Sequence, residues 1–262
     1  MSPIRVRPIR YARIATVIIS EHGSMTSNPS QKSIQNHARL LLFDIDGTLL
    51  WTNGAGREST RLALLDVFGT DAGLDQHVFG GKTDWQTLLD LLPVHGYSAS
   101  DIERTMPAFH ESISRNLERI IGNYDVKVCP GAVTLIESLR HRDDVMLGLV
   151  TGNVGRAAAV KLRAAGYDPA WFPVGAYGHE AADRNHLPPL ALARAVEYYR
   201  CTIQPEQVIV IGDTPADVAC ARALGAMAVA VGTGFCERAD LIACNPDHLI
   251  DDLSDFLEIL DN

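Results

Sequence analysis

Long apolar runs are missing from these 262 residues: no stretch of 18 consecutive apolar residues occurs, so no membrane-spanning helix and no membrane partner are expected. Positive charge is scarce as well. The formal net charge of −9 and pI near 5.4 argue against a general nucleic-acid binder. Cysteines number five (Cys129, Cys201, Cys220, Cys236, Cys244), an odd count with no CxxC pair. This argues against a zinc site or a disulfide framework and points to ordinary thiols in a reducing cytoplasm. Aromatic residues make up only 6%, and Trp51, Trp85 and Trp171 read as packing residues, not as a box for a cofactor.

Two tempting motifs are incomplete. In "HEAADRNH", residues 179–186, Asp183 stands where a zincin would need its second histidine. In "GGKTDW", residues 80–85, Gln76 occupies the position where a P-loop needs its first glycine. Thr83 or Asp84 there reads more simply as a helix cap.

Hydrophobic residues reach 47%, enough for a sizeable core in one large domain or one domain with an insertion. Residues 1–43 carry six Lys/Arg against the single acid Glu21, while the remainder is strongly acidic. Residues 1–36 have no clean cleavage site and a short apolar piece at Ile14–Ile19. They are expected to be a disordered extension, dispensable upstream of Met25.

From residue 39 onward strand-like and helix-like stretches alternate. Apolar runs at Arg39–Phe43, Val145–Val150, Val208–Ile211 and Ala226–Val231 predict strands, with weaker candidates at Pro173–Ala176 and His248–Ile250. Helix patterns lie at Ala132–Arg140, Gly155–Ala165, Leu187–Tyr199 and Pro215–Leu224. This order predicts an α/β fold: a Rossmann-like parallel sheet with helices on both faces. Residues 51–128 break the alternation with helical patterns near 56–68, 84–95 and 99–121. They predict an inserted α-helical cap on a core of residues 37–50 and 129–262.

The chemistry is carried by "LLLFDIDGTLL", residues 40–50, where Asp44 and Asp46 follow directly on an apolar strand. Unpaired charges there are costly, so a positive partner is required. Ligands of an open parallel sheet bind beyond the carboxyl ends of the strands, where strand order reverses. Two other strand ends are polar: Thr151-Gly152-Asn153, and Gly212-Asp213-Thr214-Pro215-Ala216-Asp217. If the first and third of these strands are neighbours, Asp44, Asp46, Asp213 and Asp217 converge on one edge. Such a carboxylate-rich oxygen site suits Mg2+.

"DIDGTL", "TGN" and "GDTPAD", in this order and each after a strand, resemble the motifs of the haloacid dehalogenase-like hydrolase superfamily. The resemblance covers roughly residues 39–262, and the helical insertion is similar to the cap of its phosphoglycolate phosphatase-like group. It implies a phosphatase acting on a small phosphorylated metabolite. Asp44 would attack phosphorus and form an aspartyl-phosphate, and Asp46 would protonate the leaving oxygen and then activate water. By the same resemblance, Mg2+ is held by the Asp44 side chain, the Asp46 carbonyl and Asp213, with Asp217 helping through water. Thr151, Gly152 and Asn153 would bind phosphate near the helix opening at Gly155. Lys82, on the cap, would meet an anionic substrate tail.

Relatives usually place a lysine ahead of the helix that leads to the Gly-Asp strand, and this chain has none there. Arg184, before a Pro-started helix, is assigned that role. Lys161 is read as lying inside its helix away from the strand ends, and Arg156 as pointing outward. Three other activities stay open: a sugar-phosphate mutase, a 2-haloacid dehalogenase and, from another class, a receiver-type signalling domain. The dehalogenase needs neither the metal nor the second acid, and a receiver needs neither the cap nor Asp46. The oligomeric state is not legible.

Overall fold

A computed structural model describes residues 38–261. The expected extension at 1–36 lies outside the described residues. The chain runs β1 (Arg39–Phe43), β2 (Leu50–Trp51), α1 (Ala55–Phe68), α2 (Asp84–Leu91), α3 (Ala99–Ile120), β3 (Lys127–Val128), α4 (Ala132–Leu139), β4 (Val145–Thr151) and α5 (Gly155–Ala164). It continues with β5 (Val174–Tyr177), α6 (Leu187–Tyr199), β6 (Val208–Gly212), α7 (Pro215–Leu224), β7 (Met227–Val231), α8 (Arg238–Ala243), β8 (His248–Ile250) and α9 (Phe256–Leu260).

Six strands form one parallel sheet in the order β5-β4-β1-β6-β7-β8. The expected α/β architecture is therefore the observed one. The strands are apolar throughout because both faces are covered, and alternate residues feed different cores. Leu41, Phe43, Leu149 and Ile211 pack with Leu135 and Ile136 of α4 and Leu162 of α5. Leu40, Leu42, Val150 and Val210 face the other way, onto Leu187 and Ala191 of α6 and Val218 of α7. Truncating a fully buried residue such as Leu42 would cost about 2–5 kcal/mol. β1 sits between β4 and β6, so the order of the chain reverses at its end. That reversal opens a crevice where the three polar turns meet.

Helices α1 to α3 form the insert and build a third apolar cluster around Leu64, Leu88, Phe109 and Leu117. Val154, Ala157 and Val160 of the α5 segment join that cluster, so the insert packs directly on a helix that opens at the crevice. The pattern expected at 84–95 divides. α2 stops at Leu91, and Pro93 begins a separate tight turn, Pro93–His95, because it lacks the N–H that a continuing helix needs. The two-residue strand β3 pairs with β2 as an antiparallel ribbon at the base of the insert. Among the described residues no helix is long and apolar enough to cross a membrane, and all five cysteines are free.

Candidate active site

The backbone N–H of Asp44 donates to the Ile211 carbonyl at 2.9 Å, extending the β1–β6 ladder by one residue and fixing Asp44 at the strand end. The chain then turns through Gly47 at φ +85°, where a Cβ would come within 2.4 Å of the Asp213 carboxylate. Only glycine permits both that conformation and that approach. The next residue, Thr48, donates its hydroxyl to Asp213 Oδ1 at 3.1 Å. Asp44, Asp213 and Asp217 thereby gather, each buried, with carboxylate oxygens within 4.8 Å of one another.

Arg184 enters this group from the turn before α6. Its guanidinium lies 3.4 Å from Asp44 Oδ1 and hydrogen-bonds Asp217 Oδ1. It also donates to the carbonyls of Val150 at 3.1 Å and Gly81 at 3.0 Å. Asp217 is doubly engaged, since its other oxygen accepts from the Thr214 N–H at 3.1 Å and the Thr214 hydroxyl at 2.7 Å. It is thus both a member of the acid cluster and the helix-capping acid of α7.

One guanidinium does not neutralise three buried acids. Burial pushes the Asp44 carboxyl up from its ordinary 3.8 to about 6 against the pull of Arg184, with Asp217 and Asp46 adding to the rise. Asp213 is likewise held well above the carboxylate range by burial and by the charges of Asp217 and Asp44. Burial also works against the charged form of Arg184, but Asp217 and Asp44 outweigh it and raise the group.

Asp46 stands apart from the three. Its side chain is turned to Lys161, whose ammonium donates to Asp46 Oδ2 and to Asn153 Oδ1, both at 2.6 Å. This corrects the placement of Lys161 away from the strand ends. Lys161 sits well inside α5, but side chains on a helix slant toward its N-terminus, and four methylenes carry the ammonium back to the opening. Asn153 Nδ2 adds bonds to Asp46 Oδ2 and to Thr151 Oγ1, each at 2.8 Å, so the Thr151-Gly152-Asn153 turn is tied to the second acid. Arg156 points outward as expected and pairs with Glu111 and Glu118 of α3.

The insert closes over the crevice through residues 81–85. Gly152 lies so close beneath them that a Cβ would meet the Lys82 carbonyl at 2.2 Å. Thr83 caps α2, accepting from the Gln86 N–H, and donates its hydroxyl to the Ala182 carbonyl at 2.8 Å. The Asp84 carboxylate accepts from the Val154 N–H at 2.9 Å, where α5 begins. Burial raises Asp84 to about 6, opposed by Lys161 and by that N–H. The Lys82 ammonium is not in the crevice. It is paired with Asp90 at 2.8 Å and partly exposed.

The structure thus brings together Asp44, Arg184, Asp213 and Asp217, and beside them Asp46, Thr151 and Asn153. It adds Lys161, Thr48 and Asp84, which the motifs did not single out. Of these, Thr48 had a signal in its place within "DIDGTL", and Lys161 had only its charge in an otherwise amphipathic helix.

A family model described as HAD-hydrolase-like matches residues 184–256. A phosphoglycolate phosphatase from Synechococcus elongatus is 26% identical over 225 residues, covering 83% of this chain and 95% of that protein. The pyrophosphatase PpaX from Oceanobacillus iheyensis is 21% identical over 222 residues, covering 85% and 96%. Among solved structures, a hydrolase from Pseudomonas syringae superposes with a TM-score of 0.63 at 23% identity, over 85% of this chain and all but 2% of its own. CbbY from Rhodobacter sphaeroides, in complex with phosphate, gives 0.63 at 20% identity over 86% of this chain and 100% of its own. Family model, relatives and fold agree in making this chain similar to the haloacid dehalogenase-like hydrolases.

Proposed function

We propose that this hydrolase is a Mg2+-dependent phosphatase that cleaves a small phosphate monoester through an aspartyl-phosphate on Asp44. The observation that carries the reading is the division of two strand-end acids between two cations, Asp44 against Arg184 and Asp46 against Lys161. An Asp44 oxygen attacks phosphorus and the bond to the leaving oxygen breaks, with Asp46 delivering a proton to that oxygen. Water then attacks the phosphorus of the aspartyl-phosphate, Asp46 takes its proton, and the Asp44 carboxylate is released with inorganic phosphate. Arg184 lies within reach of Asp44 and supplies charge where the transferring phosphoryl group would sit. Thr151, Gly152 and Asn153, at the opening of α5, are the phosphate-binding turn of this reading.

The acid cluster fits a hard divalent cation: its donors are carboxylate oxygens, and two of them are raised by mutual burial without one. Asp44, Asp213 and the Asp46 carbonyl would hold it, with Asp217 behind them. When bound, Mg2+ supplies charge neutralisation at the transferring phosphate. A dehalogenase would need neither this cluster nor Asp46. Residues 37–50 and 129–262 would form the catalytic core, and residues 51–128 a cap whose closure at 81–85 selects the substrate.

The relatives suggest phosphoglycolate and pyrophosphate as substrates to compare, and the mutase alternative adds sugar phosphates. A panel of these with p-nitrophenyl phosphate, in Mg2+ and in chelator, tests the proposal. Turnover should require the metal and vanish in Asp44→Asn. Undiminished activity in chelator would return the dehalogenase chemistry to first place.

A further inference from the structure

Lys161 is the buried cation that the reaction as written leaves without a task. Its side chain is only 6% exposed, on the core helix α5, yet it abuts the insert: a Cβ on Gly56 of α1 would lie 3.1 Å from the ammonium. Two of its three N–H donors are spent on Asp46 Oδ2 and Asn153 Oδ1. Asn153 in turn bonds the same Asp46 oxygen and the buried Thr151 hydroxyl. Asp46 Oδ2 therefore receives two donors from one rigid pair. Among the described residues no hydrogen bond is made to Oδ1, and the Asp46 side chain is 39% exposed.

We propose that Lys161, acting with Asn153, is a positioning residue that clamps one oxygen of Asp46 so that the other is presented to the leaving group. The inference rests on the phosphatase reading above and assigns the second acid its orientation. A carboxylate on a turn is otherwise free to rotate, and proton transfer requires the donor within hydrogen-bond reach of the leaving oxygen. Arg184 cannot serve this purpose, because its guanidinium is committed to Asp44, Asp217 and two carbonyls. Gly56 leaves room for the ammonium beside the first helix of the insert, so the clamp lies where α1 and α5 meet.

The leaving group provides the test. An alkoxide must be protonated as it departs, whereas p-nitrophenolate leaves as a stabilised anion. Phosphorylation rates are measured by rapid quench for wild type, Lys161→Met, Lys161→Arg and Asn153→Ser, with p-nitrophenyl phosphate and with the alkyl phosphate turned over fastest. Lys161→Met should lose about 100-fold or more with the alkyl phosphate, the scale of a general acid, and at least about tenfold less with p-nitrophenyl phosphate. Lys161→Arg should recover part of the loss, and Asn153→Ser should show the same selectivity. Equal losses on the two substrates, or none, would overturn the clamp and leave Lys161 a structural ion pair. Should Lys161→Met fail to fold, the selectivity of Lys161→Arg and Asn153→Ser decides in the same way. Absence of any acid-stable phosphoenzyme signal sensitive to Asp44→Asn in the wild type would instead overturn the phosphatase reading itself.

Discussion

Replacing Asp44 with Asn should stabilise the metal-free protein even though it removes the proposed nucleophile. In the fold the Asp44 carboxyl is raised from 3.8 to about 6. A carboxyl raised by folding contributes stability that is fully present below pH 3.8 and lost as the pH climbs through 6. At about 1.4 kcal/mol per unit, the ionised group costs the folded state on the order of 3 kcal/mol above pH 7, and Asn keeps the shape without the charge. The assay is urea unfolding in chelator at pH 8 and at pH 4.5. Asp44→Asn should gain up to about 3 kcal/mol at pH 8, and the gain should shrink strongly at pH 4.5. Excess Mg2+ should narrow the difference by stabilising the wild type more than the variant, since an ion bound only by the folded state adds to its stability. A variant less stable than wild type at pH 8 would refute the reasoning. It would mean that Arg184 alone neutralises Asp44, and that the acid cluster needs no further cation.

Arg184→Met should destabilise the protein by about 3–5 kcal/mol in chemical denaturation, because it leaves buried acids without their cation, and should remove measurable turnover. Arg184→Lys should restore part of kcat. Lys82→Ala should change stability by less than about 1 kcal/mol, since its pair with Asp90 is partly exposed, and should change KM for anionic substrates and for p-nitrophenyl phosphate by the same factor. Gly152→Ala should push residues 81–85 off the core, since its Cβ would meet the Lys82 carbonyl at 2.2 Å. The cost should be about 1–3 kcal/mol, with faster proteolysis at residues 77–83.

The sheet was legible in the sequence because each core strand is an apolar run ending in a polar turn, and the ordered turns indicated which ends meet. The strand pairing that the acid cluster required, β1 beside β6, is the observed register from Leu40–Val208 to Phe43–Ile211. Short elements were less legible. β2 and β3 have two residues each and exist only through pairing with one another, and α8 and α9 are too brief to show a helical period. In the site, motif residues were found and the partners that motifs do not contain were not. Arg184 could be reached by asking which cation precedes the Gly-Asp strand. Lys161 could not, because its position in the chain describes where its backbone lies and not where a long side chain slanting toward the helix start delivers its charge. Lys82 shows the same separation of backbone and charge: its carbonyl lies over Gly152 while its ammonium pairs with Asp90.

The distribution of charge explains why the site needs both buried cations and why the proposed metal is divalent. Asp46 and Lys161 form a pair of their own, and Asp84 is spent on the opening of α5. What remains at the ends of β1 and β6 is three carboxylates against one guanidinium. Fully ionised, this group carries two uncompensated negative charges in a buried space, and it responds by raising Asp44 and Asp213 so that protons take up the excess. One divalent cation cancels the same excess without protons. It would return Asp44 to the ionised form in which it can attack, while the Asp46 carboxylate keeps its separate partner in Lys161.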